Sequence, residues 1–287
     1  MISAPTSNLQ EPLWINPMGG YGDMLMVSGV IKQVFEQNHF QHFNLVRRSM
    51  YRSILQNHPA IKKIGYPPPG APIVETDYWR YPLDGNENRP YQILSRIFGL
   101  PTPAGEILYY PGSMDIDPLL EKTIPWGQKN IVIAAGSDSP RKTMTLDRWR
   151  LLIKQLKGNG FFIIQTGRLR EEYIGNSYSL LGLTSPGELI GIIKRADIVI
   201  TIDSFAMHAA HLVKTPAVVL WGPTDPGIFG YPGQHHLRGS LQCEQPEKCL
   251  SAETSRNYDI PCPLGENHCM DLIPLEDIYK AVHEILK

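Results

Sequence analysis

Hydrophobic residues follow two alternating patterns through the second half of the chain. Short runs that are apolar at nearly every position predict buried strands at residues 130–136, 161–167, 197–203 and 216–223. Between these runs, hydrophobic residues recur at the spacing of helix turns and predict helices over residues 145–160, 185–196 and 204–214. Because such strands alternate with helices, we expect a parallel sheet that is covered by helices on both faces.

The first half carries a weaker version of the same pattern. It predicts strands at residues 13–16, 43–47 and 61–66, and helices over residues 23–37, 50–58 and 91–100. Turn-rich segments fill much of the region from 67 to 115, where we assign no strand. The simplest organisation is two α/β domains, residues 1–125 and 126–287, with a linker near residues 110–128.

Composition narrows the class of protein. The 287 residues include 27 basic and 28 acidic side chains, so the net charge is −1 and we expect no nucleic-acid partner. The first twenty residues show no signal-peptide pattern, and no apolar run is long enough to span a bilayer. We therefore expect a cytoplasmic protein.

Polar residues follow each predicted strand of the second half, where parallel sheets bind their ligands. The first loop offers hydroxyls and cations, the next two offer carboxylates, and the last offers a glycine turn with free amides. The candidate residues are Ser139, Arg141, Lys142, Thr143, Glu171 or Glu172, Asp203, Gly222 and Thr224. Together they suit a nucleotide diphosphate and an adjoining polar ligand. Taken one loop at a time, the same residue types could simply cap helices.

A glycine turn, formed by Gly19, Gly20 and Gly22, precedes Asp23 at the start of a predicted helix. The turn does not match a dinucleotide-binding fingerprint, because Leu25 occupies the third glycine position, and no P-loop lysine follows. This argues against a dehydrogenase or an epimerase. Asp23 is either a general base or a first-turn aspartate that the helix dipole stabilises.

All four cysteines lie in one loop-like segment, residues 243–269. They are Cys243, Cys249, Cys262 and Cys269, separated by five, twelve and six residues. Four thiolates could hold a structural zinc or iron ion, and the alternative is a set of buried free thiols. Such a metal site would brace a loop rather than perform catalysis.

Several motifs resemble glycosyltransferase family 9, the heptosyltransferase-like enzymes. The segments on which this resemblance rests are GDMLMVSGVIKQVFEQN, KTMTLDRW, DSFAMHAAHLVKTPAVVLWGPTDP and CMDLIPLEDIYKAV. The resemblance covers residues 129–287 well and residues 14–60 loosely. It implies a GT-B fold, in which two Rossmann-like domains with parallel sheets face a central cleft, here with an abridged N-terminal domain on the acceptor side.

The resemblance also implies an inverting transfer of heptose from ADP-heptose to a hydroxyl of a cell-surface glycan, such as the lipopolysaccharide core, or of a protein. It implies that Asp23 is the catalytic residue, that Lys142 contacts phosphate and that Asp203, followed by Ser204, faces the donor sugar. His208 and the turn of Gly222, Pro223 and Thr224 would border the nucleotide. No cofactor is expected for this chemistry, although relatives that glycosylate autotransporter proteins carry a comparable cysteine-bound metal. Peripheral association with the inner membrane is compatible with such a role, and the oligomeric state stays open.

Three features depart from the family pattern. Phe205 stands where the family has glycine, Leu169 occupies the acidic ribose-contacting position in a gapless count, and the N-terminal half is short. Glu171 is the alternative ribose contact. A second interpretation is therefore a catalytically silent nucleotide-sugar-binding or scaffold protein with the same fold.

Overall fold

The chain forms two compact units, residues 1–113 and residues 114–287. The computed structural model describes residues 12–37, 42–47, 52–101, 107–239 and 268–287. Each unit is built on one parallel sheet, with four strands described in the first and six in the second.

The sheet of the first unit has the strand order β3-β2-β1-β4. Its strands are β1 Leu13–Asn16, β2 Phe43–Val46, β3 Ile61–Gly65 and β4 Ile73–Glu75. The helices are α1 Tyr21–Gln37 and α2 Pro90–Ile97, with 3₁₀ turns at Arg52–Ile54 and Tyr78–Arg80. Helix α1 buries most of its length against the sheet and its connections. At Gly29 a Cβ atom would lie 2.4 Å from the carbonyl oxygen of Ile107, so only glycine permits this close packing.

The sheet of the second unit has the order β10-β9-β8-β5-β6-β7. Its strands are β5 Asn130–Ala134, β6 Phe162–Gly167, β7 Tyr178–Leu181, β8 Ile198–Ile202, β9 Ala217–Trp221 and β10 His235–Arg238. The helices are α3 Pro118–Thr123, α4 Leu146–Gly158, α5 Pro186–Arg195, α6 Phe205–Val213, α7 Pro226–Phe229, α8 His268–Asp271 and α9 Leu275–Ile285, and a 3₁₀ turn spans Pro140–Lys142.

Burial in the core of the second unit explains why the hydrophobic pattern of the sequence predicts its central strands. Every residue of β5, β8 and β9 is buried, as expected for strands covered on both faces. Trp149 of α4 is one of the largest side chains in this core. Helix α3 also belongs to this unit, where Glu121 pairs with Arg195 and the Thr123 hydroxyl lies 2.8 Å from that of Tyr178.

The strand order reverses once in each sheet. In the first unit this point lies between β1 and β4, and in the second it lies between β5 and β8. Ligands of open parallel sheets bind beyond the carboxyl ends of the strands at such a switch point. A binding or catalytic site is therefore expected in the loops that follow these four strands.

The predicted α/β architecture is confirmed, and several elements differ in detail. The predicted helix over 50–58 is wrong across the described residues 52–58, where a single 3₁₀ turn is followed by hydrogen-bonded turns. Strands β4, β7 and β10 and helix α9 were not predicted. Among the described helices, none combines the length and the apolar character that crossing a membrane requires.

Candidate active site

The carboxylate of Asp23 is held at both of its oxygen atoms. Asp23 lies in the first turn of α1, just beyond the carboxyl end of β1. Its Oδ2 accepts a hydrogen bond from the Gly20 N–H at 2.7 Å, and its Oδ1 accepts one from the Tyr78 hydroxyl at 2.6 Å. The residue keeps part of its surface exposed. A fixed, partly accessible carboxylate therefore stands at the switch point of the first sheet.

The glycine turn makes room for this carboxylate. Gly19 has a φ of 96°, a conformation that side chains disfavour, and a Cβ atom there would lie 2.3 Å from Asp23 Oδ2. Gly22 lies buried inside α1. Gly19 and Gly20 thus form the turn beside the aspartate, whereas the prediction is wrong for Gly22, which belongs to the helix.

Hydrogen bonds join the ends of β1 and β4 beside Asp23. The Met18 N–H donates to the Thr76 hydroxyl at 2.8 Å, and the Asn16 amide donates to the Glu75 carboxylate at 2.7 Å. Tyr78 follows in the next turn and is 7% exposed. Sequence reasoning missed Tyr78, because β4 has only three residues and two of them are exposed.

Lys142 and Asp203 form an ion pair at the switch point of the second sheet. Lys142 ends the 3₁₀ turn after β5, and Asp203 directly follows β8. The Lys142 Nζ lies 2.7 Å from Asp203 Oδ2, and the two side chains are 12% and 10% exposed. Burial alone would raise the pKa of Asp203, but the charge and hydrogen bond of Lys142 outweigh it and lower that pKa. The pair is therefore charged and largely shielded from solvent.

His208 lies close to this pair on α6. Burial lowers the pKa of His208 to about 4, although the nearby Asp203 carboxylate opposes the change. Its Nδ1 lies 2.6 Å from the hydroxyl of Tyr231, and the His211 ring stacks on the Tyr231 ring at 4.0 Å. The imidazole is thus neutral at physiological pH, and it adds a polar but uncharged group to the site.

The loop after β9 completes this group. A Cβ atom on Gly222 would lie 2.9 Å from the Met270 sulfur and 3.1 Å from the Arg141 carbonyl oxygen, so the loop lies directly against the 3₁₀ turn that carries Lys142. Pro223 is partly exposed and Thr224 is buried. The Thr224 hydroxyl contributes to the low pKa of Asp203, although it completes no hydrogen bond of normal geometry among the described residues.

The remaining polar residues of these loops have distinct positions. Ser139 is fully buried, and its hydroxyl forms no hydrogen bond within the described part of the chain. The Thr143 hydroxyl donates to the Pro140 carbonyl, and the Ser204 hydroxyl lies 3.0 Å from that of Thr201. Arg141 is 7% exposed, so it is not a surface cation. The Thr143 and Ser204 hydroxyls thus make local contacts, each with a residue three positions earlier in the chain.

Glu171 belongs to a second group at the ends of β5 and β6. Its Oε1 accepts the Arg168 N–H at 2.9 Å, and Cβ atoms on Gly136 and Gly167 would lie 2.0 Å and 2.2 Å from its Oε2. Burial raises the pKa of Glu171 above its ordinary value, against the effect of that hydrogen bond and of nearby arginines. Leu169, by contrast, is 81% exposed. The carboxylate at the strand ends is that of Glu171.

An ion cluster that the sequence did not reveal joins the loops after β5 and β6. Asp138 pairs with both Arg168 and Arg170, and one Arg168 contact measures 2.7 Å. The hydrogen bond from Arg168 is the main reason why the pKa of Asp138 lies below its usual value. In the sequence, the aspartate and the two arginines stand among ordinary loop residues. Their contact follows from the adjacency of β5 and β6 in the sheet, which the sequence does not show.

The comparison with protein families fits this geometry. The profile of glycosyltransferase family 9 (heptosyltransferase) matches residues 89–258, which is more than half of the chain. The chain belongs to glycosyltransferase family 9. It is therefore a glycosyltransferase by family. No curated protein sequence matches it at a significant level.

Solved structures of family 9 enzymes and heptosyltransferases share the fold of this family 9 protein. The family 9 glycosyl transferase of Veillonella parvula DSM 2008 is 14% identical, with a TM-score of 0.69 and coverage of 96% of this chain and 97% of that one. E. coli ADP-heptose lps heptosyltransferase II is also 14% identical, with a TM-score of 0.67 and coverage of 96% and 98%.

A third similar structure is that of a metalloprotein. Dodecameric iron-containing heptosyltransferase TibC, in complex with ADP-D-β-D-heptose, is 17% identical to this chain, with a TM-score of 0.69. The alignment covers 96% of this chain and 76% of TibC. TibC comes from enterotoxigenic E. coli H10407. These likenesses establish a shared two-unit α/β fold of the GT-B heptosyltransferase type.

The cysteine cluster of this family 9 protein lies mostly outside the described residues, which include Cys269 but not Cys243, Cys249 or Cys262. Cys269 is buried in α8. The chain leaves the described region at Gly239, where a Cβ atom would lie 2.1 Å from the Cys269 carbonyl oxygen. Within the described ranges, no three histidine, cysteine or acidic side chains are grouped as metal ligands.

Proposed function

We propose that this protein is an inverting glycosyltransferase that moves heptose from ADP-heptose to a hydroxyl of a cell-surface glycan or protein. Family membership supports the class of reaction. The proposed donor rests on two similar structures, one described as an ADP-heptose heptosyltransferase and the other containing ADP-D-β-D-heptose.

The Lys142–Asp203 pair is the observation that carries the proposal. It combines a cation suited to a phosphate oxygen with a carboxylate suited to sugar hydroxyls, and it lies where an open parallel sheet binds ligands. The buried hydroxyls of Ser139 and Thr224 lie in the same loops and retain hydrogen-bonding capacity. A nucleotide-sugar diphosphate would use all of these groups, whereas helix capping would use none of them.

Asp23 would act as the general base in the transfer. As the acceptor oxygen forms its bond to the anomeric carbon, its proton passes to the Asp23 carboxylate. The bond from that carbon to the diphosphate breaks on the opposite face, and the electron pair leaves with the nucleotide. Such proton transfer in the transition state contributes roughly 10²–10⁴-fold to a rate.

Lys142 would stabilise the charge that develops on the departing diphosphate. Arg141 and the amides near Thr224 belong to the same group of loops, and donors fixed in advance are the most effective kind. The proposed step uses side chains and amides alone, without a catalytic metal. Glu171, in its glycine cradle, is the candidate for the ribose hydroxyls.

Two substitutions separate the roles of base and donor site. Asp23→Asn should lower kcat by about 10²-fold or more while donor affinity stays within about twofold. Lys142→Ala should weaken donor affinity by about tenfold or more, because it removes a charge-assisted hydrogen bond and leaves Asp203 without its cation. Calorimetric titration with ADP, UDP, GDP and ADP-D-β-D-heptose measures affinity, and ADP release measures turnover.

Asp147→Asn and Lys154→Ala are matched controls, because both side chains are exposed on α4. They should leave affinity and turnover unchanged. If Asp23→Asn retains turnover, Asp23 is not the general base and only stabilises the start of α1. Selective binding of ADP-D-β-D-heptose without any turnover would favour the catalytically silent alternative, and the absence of binding to every nucleotide would reject the donor site.

We also propose that Cys243, Cys249, Cys262 and Cys269 hold one structural metal ion. Their clustering, the iron in TibC and the close approach of Gly239 to Cys269 support it, since the last feature holds the two ends of the cysteine segment together. Bound there, a metal would brace the segment, and no step of the transfer passes through it. Elemental analysis of freshly purified protein should find about one zinc or iron per chain, with less in Cys269→Ser; no metal in either protein would reject the idea.

A further inference from the structure

Tyr78 reaches the Asp23 carboxylate from a different strand connection. The chain leaves β1 to carry Asp23 and leaves β4 to carry Tyr78, and these strands pair in parallel with Asn16 opposite Glu75. The hydroxyl of Tyr78 donates to Asp23 Oδ1 at 2.6 Å. Two residues that lie 55 positions apart in the sequence thus share one hydrogen bond at the switch point.

The position of Tyr78 is fixed by its own backbone. Its N–H donates to the Thr76 carbonyl at 2.9 Å, and its carbonyl accepts the Tyr81 N–H at 3.1 Å, which closes the 3₁₀ turn. Thr76 is fully buried and receives the Met18 N–H, which ties this turn to the glycine turn before Asp23. The ring of Tyr78 packs edge-on against that of Trp79. The phenol is therefore a rigid donor.

We propose that Tyr78 is a positioning residue for sugar transfer, and that its hydroxyl fixes the orientation of the Asp23 carboxylate. The inference rests on the proposed role of Asp23 as the general base. The Gly20 N–H holds Oδ2 and the Tyr78 hydroxyl holds Oδ1, so donors on both oxygens oppose rotation of the carboxylate about its Cβ–Cγ bond. A carboxylate fixed in this way presents its oxygens to an acceptor hydroxyl in one orientation.

The alternative is that Tyr78 merely fills space beside α2. Tyr78→Phe distinguishes these roles, because phenylalanine keeps the ring and removes only the hydroxyl. A packing role predicts no change in catalysis. A positioning role predicts changes at Asp23 itself, since a donor to a carboxylate favours its charged form.

The experiment compares wild type, Tyr78→Phe and Asp23→Asn, with Tyr81→Phe as control. Tyr81 borders the same 3₁₀ turn and is 39% exposed. Carbon NMR of aspartate-labelled protein follows the Asp23 carboxyl signal against pH, and its absence in Asp23→Asn assigns it. ADP release from ADP-D-β-D-heptose gives kcat and KM over the same pH range.

In Tyr78→Phe the carboxyl signal should titrate about one pH unit higher, and the acidic limb of kcat/KM should move with it. At neutral pH kcat should fall about tenfold, while donor affinity and thermal stability stay near those of wild type. Tyr81→Phe should match wild type throughout. In the background of Asp23→Asn, Tyr78→Phe should cause no further loss of kcat.

Two experimental results would contradict different parts of this account. A Tyr78→Phe variant that matches wild type in titration and kcat/KM, while Asp23→Asn is inactive, overturns the role of Tyr78 and leaves the proposed function intact. Full activity in Asp23→Asn overturns the proposed general base, and with it any catalytic positioning by Tyr78.

Discussion

The Glu171 carboxylate occupies space that exists only because two neighbouring residues have no side chain. Gly136 follows β5 and Gly167 ends β6, and a Cβ atom on either would overlap the carboxylate. Because this carboxylate is the far end of a flexible side chain, it could move away at small cost in stability. At Gly136, the absence of a side chain therefore protects the position of this carboxylate more than the stability of the sheet.

Gly136→Ala should therefore reduce ADP affinity more than it reduces stability. If Glu171 contacts the ribose as proposed, loss of that hydrogen bond should weaken binding about tenfold, as measured by calorimetry. The change in melting temperature should be only a few degrees. Gly127→Ala is the control, because a Cβ atom there meets nothing within 4 Å. Wild-type ADP affinity in Gly136→Ala would contradict this role of Glu171.

At the scale of secondary-structure elements, the sequence predicted the strands that are buried on both faces. Strands β5, β8 and β9 are continuous apolar runs, and the predicted helix α5 begins with a capping box in which Ser185 and Glu188 exchange hydrogen bonds. Strands β4, β7 and β10 lie at sheet edges, have three or four residues and are only partly buried. Such strands leave little hydrophobic pattern, since their pairing partner decides their conformation.

The residues of the candidate site likewise fall into those that the sequence could predict and those that it could not. Lys142 and Asp203 could be predicted as neighbours, because both follow central strands whose carboxyl ends share an edge. Tyr78 could not, since its position depends on the pairing of β1 with β4, which no local pattern reveals. Asp138 and Arg168 were hidden for a related reason: their meeting depends on the orientation of two loops.

At the scale of the whole molecule, each unit contains a histidine that folding keeps neutral. Burial lowers the pKa of His58 in the first unit and of His208 in the second to about 4. Within the first unit, His58 Nδ1 accepts the Ala60 N–H, so its Nε2 donates to the Ser28 carbonyl. Protonation would therefore break a satisfied buried arrangement.

Both units should lose stability as the pH falls from about 6.5 to about 4. In this range His58 and His208 are protonated in the unfolded state but stay neutral in the folded state. The free energy of unfolding therefore decreases as pH falls, by about 3 kcal/mol for each histidine. Melting temperatures measured from pH 8 to pH 4 test this. His58→Gln should flatten the decline, whereas His235→Gln, a control on β10, should retain it. A melting temperature that is constant between pH 6.5 and 4 would contradict the assignment.

The approach of Gly239 to Cys269 has a consequence for how this chain can be altered. Gly239 and α8 lie next to each other, so the chain enters and leaves residues 240–267 at adjacent points. The entropic cost of closing such a loop grows only slowly with its length. A change in the number of residues between Gly239 and His268 should therefore alter the closure entropy of the second unit only slightly.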